Sequence, residues 1–547
     1  MTRLRNLKAN INIWWLLSTC FVCLIIIPNM SIFINIFNAP NDHFRHIQKY
    51  LLKNYLSNTT ILMMGAGLLS IAIGVSLAWV VTMFDFPMKR FFRWALVLPL
   101  TIPTYIGAYT YHGLLNYTGL VQRFLRNQLG LQVNQVYFNM MSINGAIFIF
   151  TIFLYPYVFI ITKSFLEKQS ASLIETSRLL GKSHFVIFIK VILPICRGAI
   201  IGGTSLVVLE VLNDYGVANY YGIPTFSIAI FKTWFGMGDL DTVVKLSAIL
   251  MLIIFVLLYV EKLLRGRKRY SYTTSKIQPL QPLKLNGWKK HLAMVVCILI
   301  FTLGFFIPLL QLIYWMAISY KNNVNIQVLK LSSTSFLVAF VTASIIIVIA
   351  TIIANYSRIS KGLLSKIYGR ITVLGYSIPG AVIAIGVMIF FIGLDRTLYG
   401  VYTWFNPTTS KLILTTSIVM LIFAYIIRFL AIGFNPIESG FDKIGKTFHE
   451  ASRVLGKRMT TTFFKVDMKM IQPAIISGFI LIFVDVLKEL PLTLLLRPFN
   501  FNTLATKTYE YANDEMIHEA AIPSLIIIGI GMLAMLILNK VSTKEVS

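Results

Sequence analysis

Four carboxylates stand where a carboxylate is costly. Glu210 and Asp214 lie in one long apolar stretch, and Asp485 and Glu489 lie in another. An ionisable side chain inside a membrane-length apolar run marks a pathway or a partner by default. The members of each pair are four positions apart, so on a helix they share a face. Counting from Arg197 at the near end of its stretch, Glu210 lies roughly 20 Å along the helix axis, toward the far side of a bilayer. Several carboxylates facing one space would offer oxygen ligands to a hard, highly charged cation and would suit anions poorly. Tyr215, Tyr220 and Tyr221 follow the first pair and add phenol oxygens of the same hard class. A plain structural reading stands beside this one. Lys488 is three positions from Asp485 and can neutralise it, and the acids can bridge helices or meet a partner protein. The residues alone leave both readings open.

Other groups that invite chemistry lack its context. Cys20 and Cys23 have redox or metal spacing, but they sit among Trp, Leu, Phe and Ile with no second pair, as do Cys196 and Cys297 in their own apolar runs; no disulfide framework follows. His43 and His46 form a pair three positions apart, too little for a metal assignment. Gly181-Lys182-Ser183 resembles the end of a nucleotide-binding loop, yet that loop requires a glycine where Thr176 stands and a buried strand before it. The chain is therefore expected to hold no cofactor, to bind no ATP and to contain no catalytic residue.

The elements that must position these groups are membrane helices. Of 547 residues, 57% are hydrophobic and 13% charged, and the mean hydropathy is +0.75; a soluble protein carries roughly 25% charged residues. Runs long enough to cross a hydrocarbon core fall near 11–36, 59–83, 94–114, 141–161, 191–212, 243–261, 291–318, 334–356, 371–394, 411–434, 471–496 and 521–539, about twelve spans of roughly 20 residues each. The first follows Arg3, Arg5 and Lys8 but is longer than a cleavable signal core, so it reads as an uncleaved span. The expected fold is an all-α polytopic membrane protein.

The formal net charge of +28 does not imply nucleic acid, because Lys and Arg sit in short loops rather than in a basic domain. The loops that hold Lys89, Arg90 and Arg93, then Lys163 to Lys190, Arg358 to Arg370 and Lys443 to Lys469 are far richer in them than the alternate loops. The positive-inside rule places these loops, and both termini, in the cytoplasm. The most basic stretch, 265–290, contains Gln278-Pro279 and Gln281-Pro282 and reads as a cytoplasmic linker that meets anionic headgroups, between a first half, 1–264, and a second, 291–547.

The halves are repeats. Glu175-Thr-Ser-Arg-Leu-Leu-Gly181 recurs as Glu450-Ala-Ser-Arg-Val-Leu-Gly456, offset by 275 positions, and the register persists through Phe188 and Phe463, Val191 and Val466, Gly203 and Gly478, Glu210 and Asp485, and Asp214 and Glu489. Thr101-Ile102-Pro103 corresponds to Ser377-Ile378-Pro379. Both copies of the motif fall in loops on the basic side, about 171–194 and 446–469. An acid near a helix start complements the helix dipole, and glycine permits positive φ where the chain reverses.

This duplicated segment resembles the EAA loop of ABC importer permeases. The resemblance implies two type I permease halves in one chain and two coupling helices, with Glu175, Gly181, Glu450 and Gly456 at the docking surface for two copies of a separate ATPase that uses ATP and Mg. The match departs from the pattern at Glu-Thr-Ser in the first copy; the second has Lys469 where the first has Pro194, with Pro473 following later. Leu209-Glu-Val-Leu-Asn-Asp-Tyr-Gly216, Trp234-Phe-Gly-Met-Gly-Asp239 and the stretch from Asp485 to Ala505 resemble, more narrowly, the fused ferric iron permeases. That resemblance implies a multi-pass bacterial inner-membrane permease that receives Fe(III) from a periplasmic or extracellular binding protein. It would pass the ion by alternating access along a path that includes Glu210, Asp214, Asp485 and Glu489, with the three tyrosines as candidate metal ligands. Loops 213–242 and 497–520, with Asp239, Asp241, Arg497, Glu510, Asp514 and Glu515, would receive that protein. The rivals are the same importer class carrying thiamine, a polyamine or an aminophosphonate, and a secondary transporter driven by an ion gradient.

Overall fold

The computed structural model describes residues 13–36, 39–167, 172–265, 282–323, 326–360, 362–406, 408, 410–445 and 447–544. The basic amino terminus, linker residues 266–281 and positions 171 and 446 of the repeated loops lie outside them. Among the described residues ten helices are long and apolar enough to span a membrane, and two bent pairs bring the number to as many as twelve.

In the first half the main helices are α1 (Ile13–Asn35), α2 (Leu52–Met83), α3 (Thr104–Leu115), α4 (Ile143–Glu167), α5 (Leu193–Asn213) and α6 (Leu240–Arg265). The second half begins with α7 (Trp288–Phe301), which continues through a π turn into Ile307–Asn323. There follow α8 (Ile326–Ile359), α9 (Leu363–Ser377), α10 (Gly380–Phe405), α11 (Ile418–Ile444), α12 (Gln472–Lys488) and α13 (Ala521–Lys544). The duplication seen in sequence is reproduced in local geometry. The π turns Phe188–Ile192 and Phe463–Asp467 and the short helices Ser172–Leu179 and Thr447–Val454 all keep the 275-residue register.

Each half is built on a tight three-helix core, α2 with α4 and α5, and α8 with α11 and α12. Lipid tails are as apolar as leucine, so helices associate through close van der Waals packing at small residues. Gly74 and Gly203 supply that approach from either side of α4. A Cβ on Gly74 would lie 2.8 Å from Cβ of Val158, and one on Gly203 would lie 2.7 Å from Cα of the same residue.

The first helix of each half packs on the other half. On α1, the Thr19 hydroxyl pairs with the Tyr368 phenol at 2.8 Å, and Trp14 meets Phe463 edge-on at 4.5 Å. Along α7 and its continuation, the Leu303 carbonyl accepts from the Tyr111 phenol, and Trp315 stacks on Tyr109. Asp85, just after α2, accepts the Leu285 amide at 3.0 Å, and Phe84–Asp85 pairs with Leu283–Lys284 as a two-residue parallel ladder. The halves are therefore interlocked.

Four of the expected spans have different bounds. The run 94–114 is broken by a 91° bend between Lys89–Thr101 and Thr104–Asn127, because Pro103 excludes Ile102 from the helical region; Ile102 has φ −96° and ψ 111°. The run 371–394 is divided between α9 and α10 at the matching Ile378-Pro379, where Ile378 has φ −87° and ψ 130°. Run 411–434 starts only at Ile418, capped by the Ser417 hydroxyl on the Val419 amide. The stretch 471–496 stops at Lys488 and resumes as the short helix Pro491–Leu496. The shift from Pro194 to Pro473 also has a consequence. The chain from His184 to Asn213 runs on as one span, whereas Met459–Met470 meets α12 at 73°.

The packing at α4 sets a test. Gly74→Leu is expected to lower the thermal unfolding temperature of the purified protein, while Gly393→Leu, where an added Cβ meets nothing within 4 Å, leaves it unchanged. Equal midpoints by tryptophan fluorescence would refute this account of the core.

Candidate functional site

The helix breaks converge. Ile102 and Pro103 before α3, Asp214 at the end of α5 and Glu489 at the end of α12 all line one cavity of about 110 Å³ between the halves, together with Glu210, Asp485, Arg428 and Lys488. All four carboxylates singled out by sequence thus face the same space. Asp214 and Glu489 are not within helices, as their spacing from Glu210 and Asp485 suggested. Each is the residue that ends its helix, with nearly the same backbone, φ −69° and ψ 131° for Asp214 and φ −68° and ψ 123° for Glu489. Each carboxylate then caps the next short helix. Asp214 accepts the Val217 amide at 2.9 Å, and Glu489 accepts the Leu492 amide at 3.1 Å. The starts of α3 and α10 also point here: the Thr104 hydroxyl donates to Asp214 at 3.0 Å, and the Gly380 amide donates to Asn213 Oδ1 at 2.7 Å. Positive helix ends and acid side chains are thereby juxtaposed.

Charge compensation is one-sided. Lys488 Nζ lies 2.7 Å from Asp485, and Arg428 Nε lies 3.3 Å from Glu489; the latter is a charge contact without hydrogen-bond alignment at Nε. Arg428 also donates to Asn213 Oδ1 at 2.9 Å and so ties the second half to the first. At the positions matching Arg428 and Lys488 the first half has Phe153 and Asn213. Glu210 accepts from the Tyr376 phenol at 3.1 Å, and Asp214 is held by a hydroxyl and amides; neither has a basic side chain in salt-bridge range among the described residues. The cavity therefore contains two more carboxylates than cations. Arg428 and Tyr376 were missed in sequence, although an arginine as the sole charge in 418–434 is a readable signal.

The tyrosines do not gather around this cavity. The Tyr221 phenol donates to the Ala108 carbonyl at 3.1 Å, Tyr220 packs edge-on to His112, and Tyr215 stacks on Phe231 at 3.8 Å. Among the described residues no three His, Cys, Asp or Glu side chains converge as a metal cage. Tyr215 instead borders a second cleft of about 520 Å³ with Arg497, Phe499, Tyr509, Glu510 and Asp514. Between cavity and cleft the chain is tightly packed, since a Cβ on Gly216 would lie 2.6 Å from Tyr105 and 3.0 Å from Leu490. Of the charges in loops 213–242 and 497–520, Glu510 is engaged by Arg497 at 2.7 Å and Lys507 at 3.2 Å. Asp239 is occupied in capping. Partial burial raises its pKa, but hydrogen bonds from Thr242 and Asn41 outweigh this and hold its carboxyl below the usual carboxylate range. Asp241, Asp514 and Glu515 are exposed.

On the opposite side, the repeated loops share one construction. Glu175 and Glu450 lie in the first turns of Ser172–Leu179 and Thr447–Val454. Gly181 and Gly456 follow with φ of 69° and 78°, and the amides of Lys182 and Lys457 each close back on a carbonyl five residues earlier at 3.2 Å. Left-handed glycine ends the helix and leaves Leu179, Leu180, Val454 and Leu455 projecting into solvent, each at least 70% exposed.

Residues 70–269 and 346–547 each match the family model for the binding-protein-dependent transport system inner membrane component. The chain belongs to that family. This permease is 25% identical over 493 residues to an Fe(3+)-transport system permease protein of Haemophilus influenzae, FbpB 2, covering 89% of this chain and 90% of that protein. It is 20% identical over 487 residues to the putative ferric transport system permease protein FbpB 1 of the same organism, covering 84% and 73%. A probable sulfate transport system permease protein of Prototheca wickerhamii, cysT, is 28% identical over 151 residues, 28% of this chain and 56% of that one.

The two loops of this permease are anchored differently. Asp467, fully buried in the second π turn, pairs with Arg358 at 3.0 Å and with His449 of the short helix at 2.7 Å, and Arg358 donates to the Gly445 carbonyl at 2.7 Å. The matching first-half positions are Met83, Ile174 and Ile192. The ionic cluster of the second loop therefore has only apolar residue types at the matching positions of the first. Removing one member strands the other charge, at a cost of about 3–5 kcal/mol, so Asp467→Ile is expected to destabilise the permease strongly. The triple change Arg358→Met, His449→Ile, Asp467→Ile, which copies the first half, should recover most of that loss in denaturant or thermal unfolding. A triple variant as unstable as the single one would contradict this reading.

Proposed function

We propose that this permease forms the path by which an ATP-driven importer takes up ferric iron. The observation that carries the cargo is the excess of two carboxylates in the cavity between the halves. Such a lining favours a multivalent cation with hard oxygen preference and disfavours sulfate or phosphonate. The full-length likeness to permeases named for Fe(3+) supports the same cargo. Because the acids do not form a closed cage, they would lower the electrostatic barrier to passage without retaining the ion. Charge in lipid is expensive, and Glu210, held only by a phenol, is the carboxylate most available to the cargo.

In this reading the side bearing the repeated loops is cytoplasmic, as are both termini. Two copies of a separate ATPase, which binds ATP and Mg, dock on Ser172–Leu179 and Thr447–Val454, where Leu179, Leu180, Val454 and Leu455 present exposed apolar surface. A ferric-binding protein delivers cargo to the outer cleft beside Tyr215 and Glu510. Closure of the ATPase pair moves the two loops and rocks the interlocked halves about the cavity, opening the Gly216, Tyr105 and Leu490 layer on one side in alternation with the other. The permease itself makes and breaks no covalent bond.

Two outcomes test this. The complex reconstituted with ATPase and binding protein is expected to accumulate labelled Fe(III) in vesicles, and Glu210→Gln is expected to reduce that flux about tenfold or more while the ATPase still co-purifies; uptake of spermidine or sulfate without iron would overturn the cargo. Gly181→Leu and Gly456→Leu put a side chain into open space but into a left-handed backbone costing about 1–2 kcal/mol. Insertion should be normal and ATP hydrolysis uncoupled from uptake, and full transport by both variants would remove the docking role.

A further inference from the structure

Another cleft, of about 540 Å³, lies on the side opposite the repeated loops, where the loop after α3 meets the α7 continuation and residues before α13. It is lined by Arg123 and Arg126 from the short helix Leu120–Asn127, by Gln311, Tyr314 and Trp315, and by His518. No carboxylate lines it. Its polar groups are under-used. Gln311 is only 4% exposed yet makes no side-chain hydrogen bond to any described residue, and His518 Nδ1 is buried without a partner. The Arg123 side chain is exposed and is bound to no described residue, while Arg126 is oriented by the Tyr117 carbonyl at 2.7 Å and by stacking on the Tyr117 ring at 3.6 Å. A buried ring nitrogen without a partner is costly, so His518 Nδ1 and the exposed Arg123 guanidinium suit this cleft to a ligand that accepts hydrogen bonds and carries negative charge.

The surroundings identify the source of that charge. Tyr117, Phe124, Leu129, Val136 and Tyr137 are all more than half exposed around the cleft. Aromatic and aliphatic side chains beside arginines on a short amphipathic helix are the composition of a membrane interface. Ile318 in the cleft lining and Leu310 and Ile313 on the same helix are exposed apolar side chains that acyl chains can cover. We propose that this cleft holds an anionic phospholipid of the leaflet facing away from the repeated loops, with the phosphodiester on Arg123 and Arg126 and with Gln311 donating to the headgroup. Because the cleft joins the first half to the helix that crosses over from the second, a bound lipid would brace the interlock. The inference requires only that the chain lies in a membrane, and it stands whatever the cargo.

The test is native mass spectrometry of the detergent-solubilised permease titrated with phosphatidylglycerol or phosphatidylcholine. Arg123→Ala removes an exposed side chain, so it is expected to leave folding intact and to weaken phosphatidylglycerol retention about fivefold, the weight of one basic side chain at an anionic surface. Arg123→Lys should restore it, and Arg396→Ala, an exposed arginine elsewhere, should have no effect. Identical retention by wild type and Arg123→Ala, or equal affinity for both lipids, would overturn the proposal. Displacement of the lipid by millimolar inorganic phosphate would replace it with a free-anion site.

Discussion

A polypeptide in lipid has no water to satisfy a broken backbone hydrogen bond, so a helix can be interrupted only where protein or a polar cavity replaces the lost partner. The central architecture follows from that constraint. The interruptions at Ile102-Pro103, Asp214 and Glu489 all border the same cavity, and Ile378-Pro379 immediately precedes Gly380, whose amide reaches the cavity residue Asn213. The carboxylates of Asp214 and Glu489 take up freed amides of the next short helices. The acids are thus at once the repair of the broken backbone and the lining of the cavity. Their structural use and their proposed transport use are two aspects of one arrangement rather than rival explanations.

Duplication supplies the frame, and divergence supplies the chemistry. Backbone features at matching positions agree closely, including the terminating acids and the left-handed glycines Gly181 and Gly456. Charges do not. Arg428 and Lys488 answer Phe153 and Asn213 across the cavity, and the Arg358, Asp467 and His449 cluster answers Met83, Ile192 and Ile174 at the base. Both differences place the stabilising ion pairs in the second half and leave Glu210 and Asp214 free of them. At the base of the second half a buried ionic cluster thus stands where the first half has apolar residue types at the matching positions.

The interlock of α1 with the second half and of α7 with the first means that neither half buries its core alone. The glycine seams beside α4 and the Trp315 stack on Tyr109 are close contacts of the kind through which packed interiors transmit strain rather than absorb it.

Much was legible from residues alone, for reasons of distance. Apolar length, the 275-residue register, the glycine turns and the four acids depend on composition and on separations within a few helical turns, and the structure retains each of them. The ends of the spans were less legible, since Ile102-Pro103 and Ile378-Pro379 read equally well as tolerated prolines until the cavity shows what replaces the lost hydrogen bonds. What only the tertiary structure decided is which charges meet. Arg428 and Asn213 are 215 positions apart, and Arg358 and Asp467 are 109 apart. No periodicity carries pairing over that range, because it is set by how whole helices from two halves cross in space.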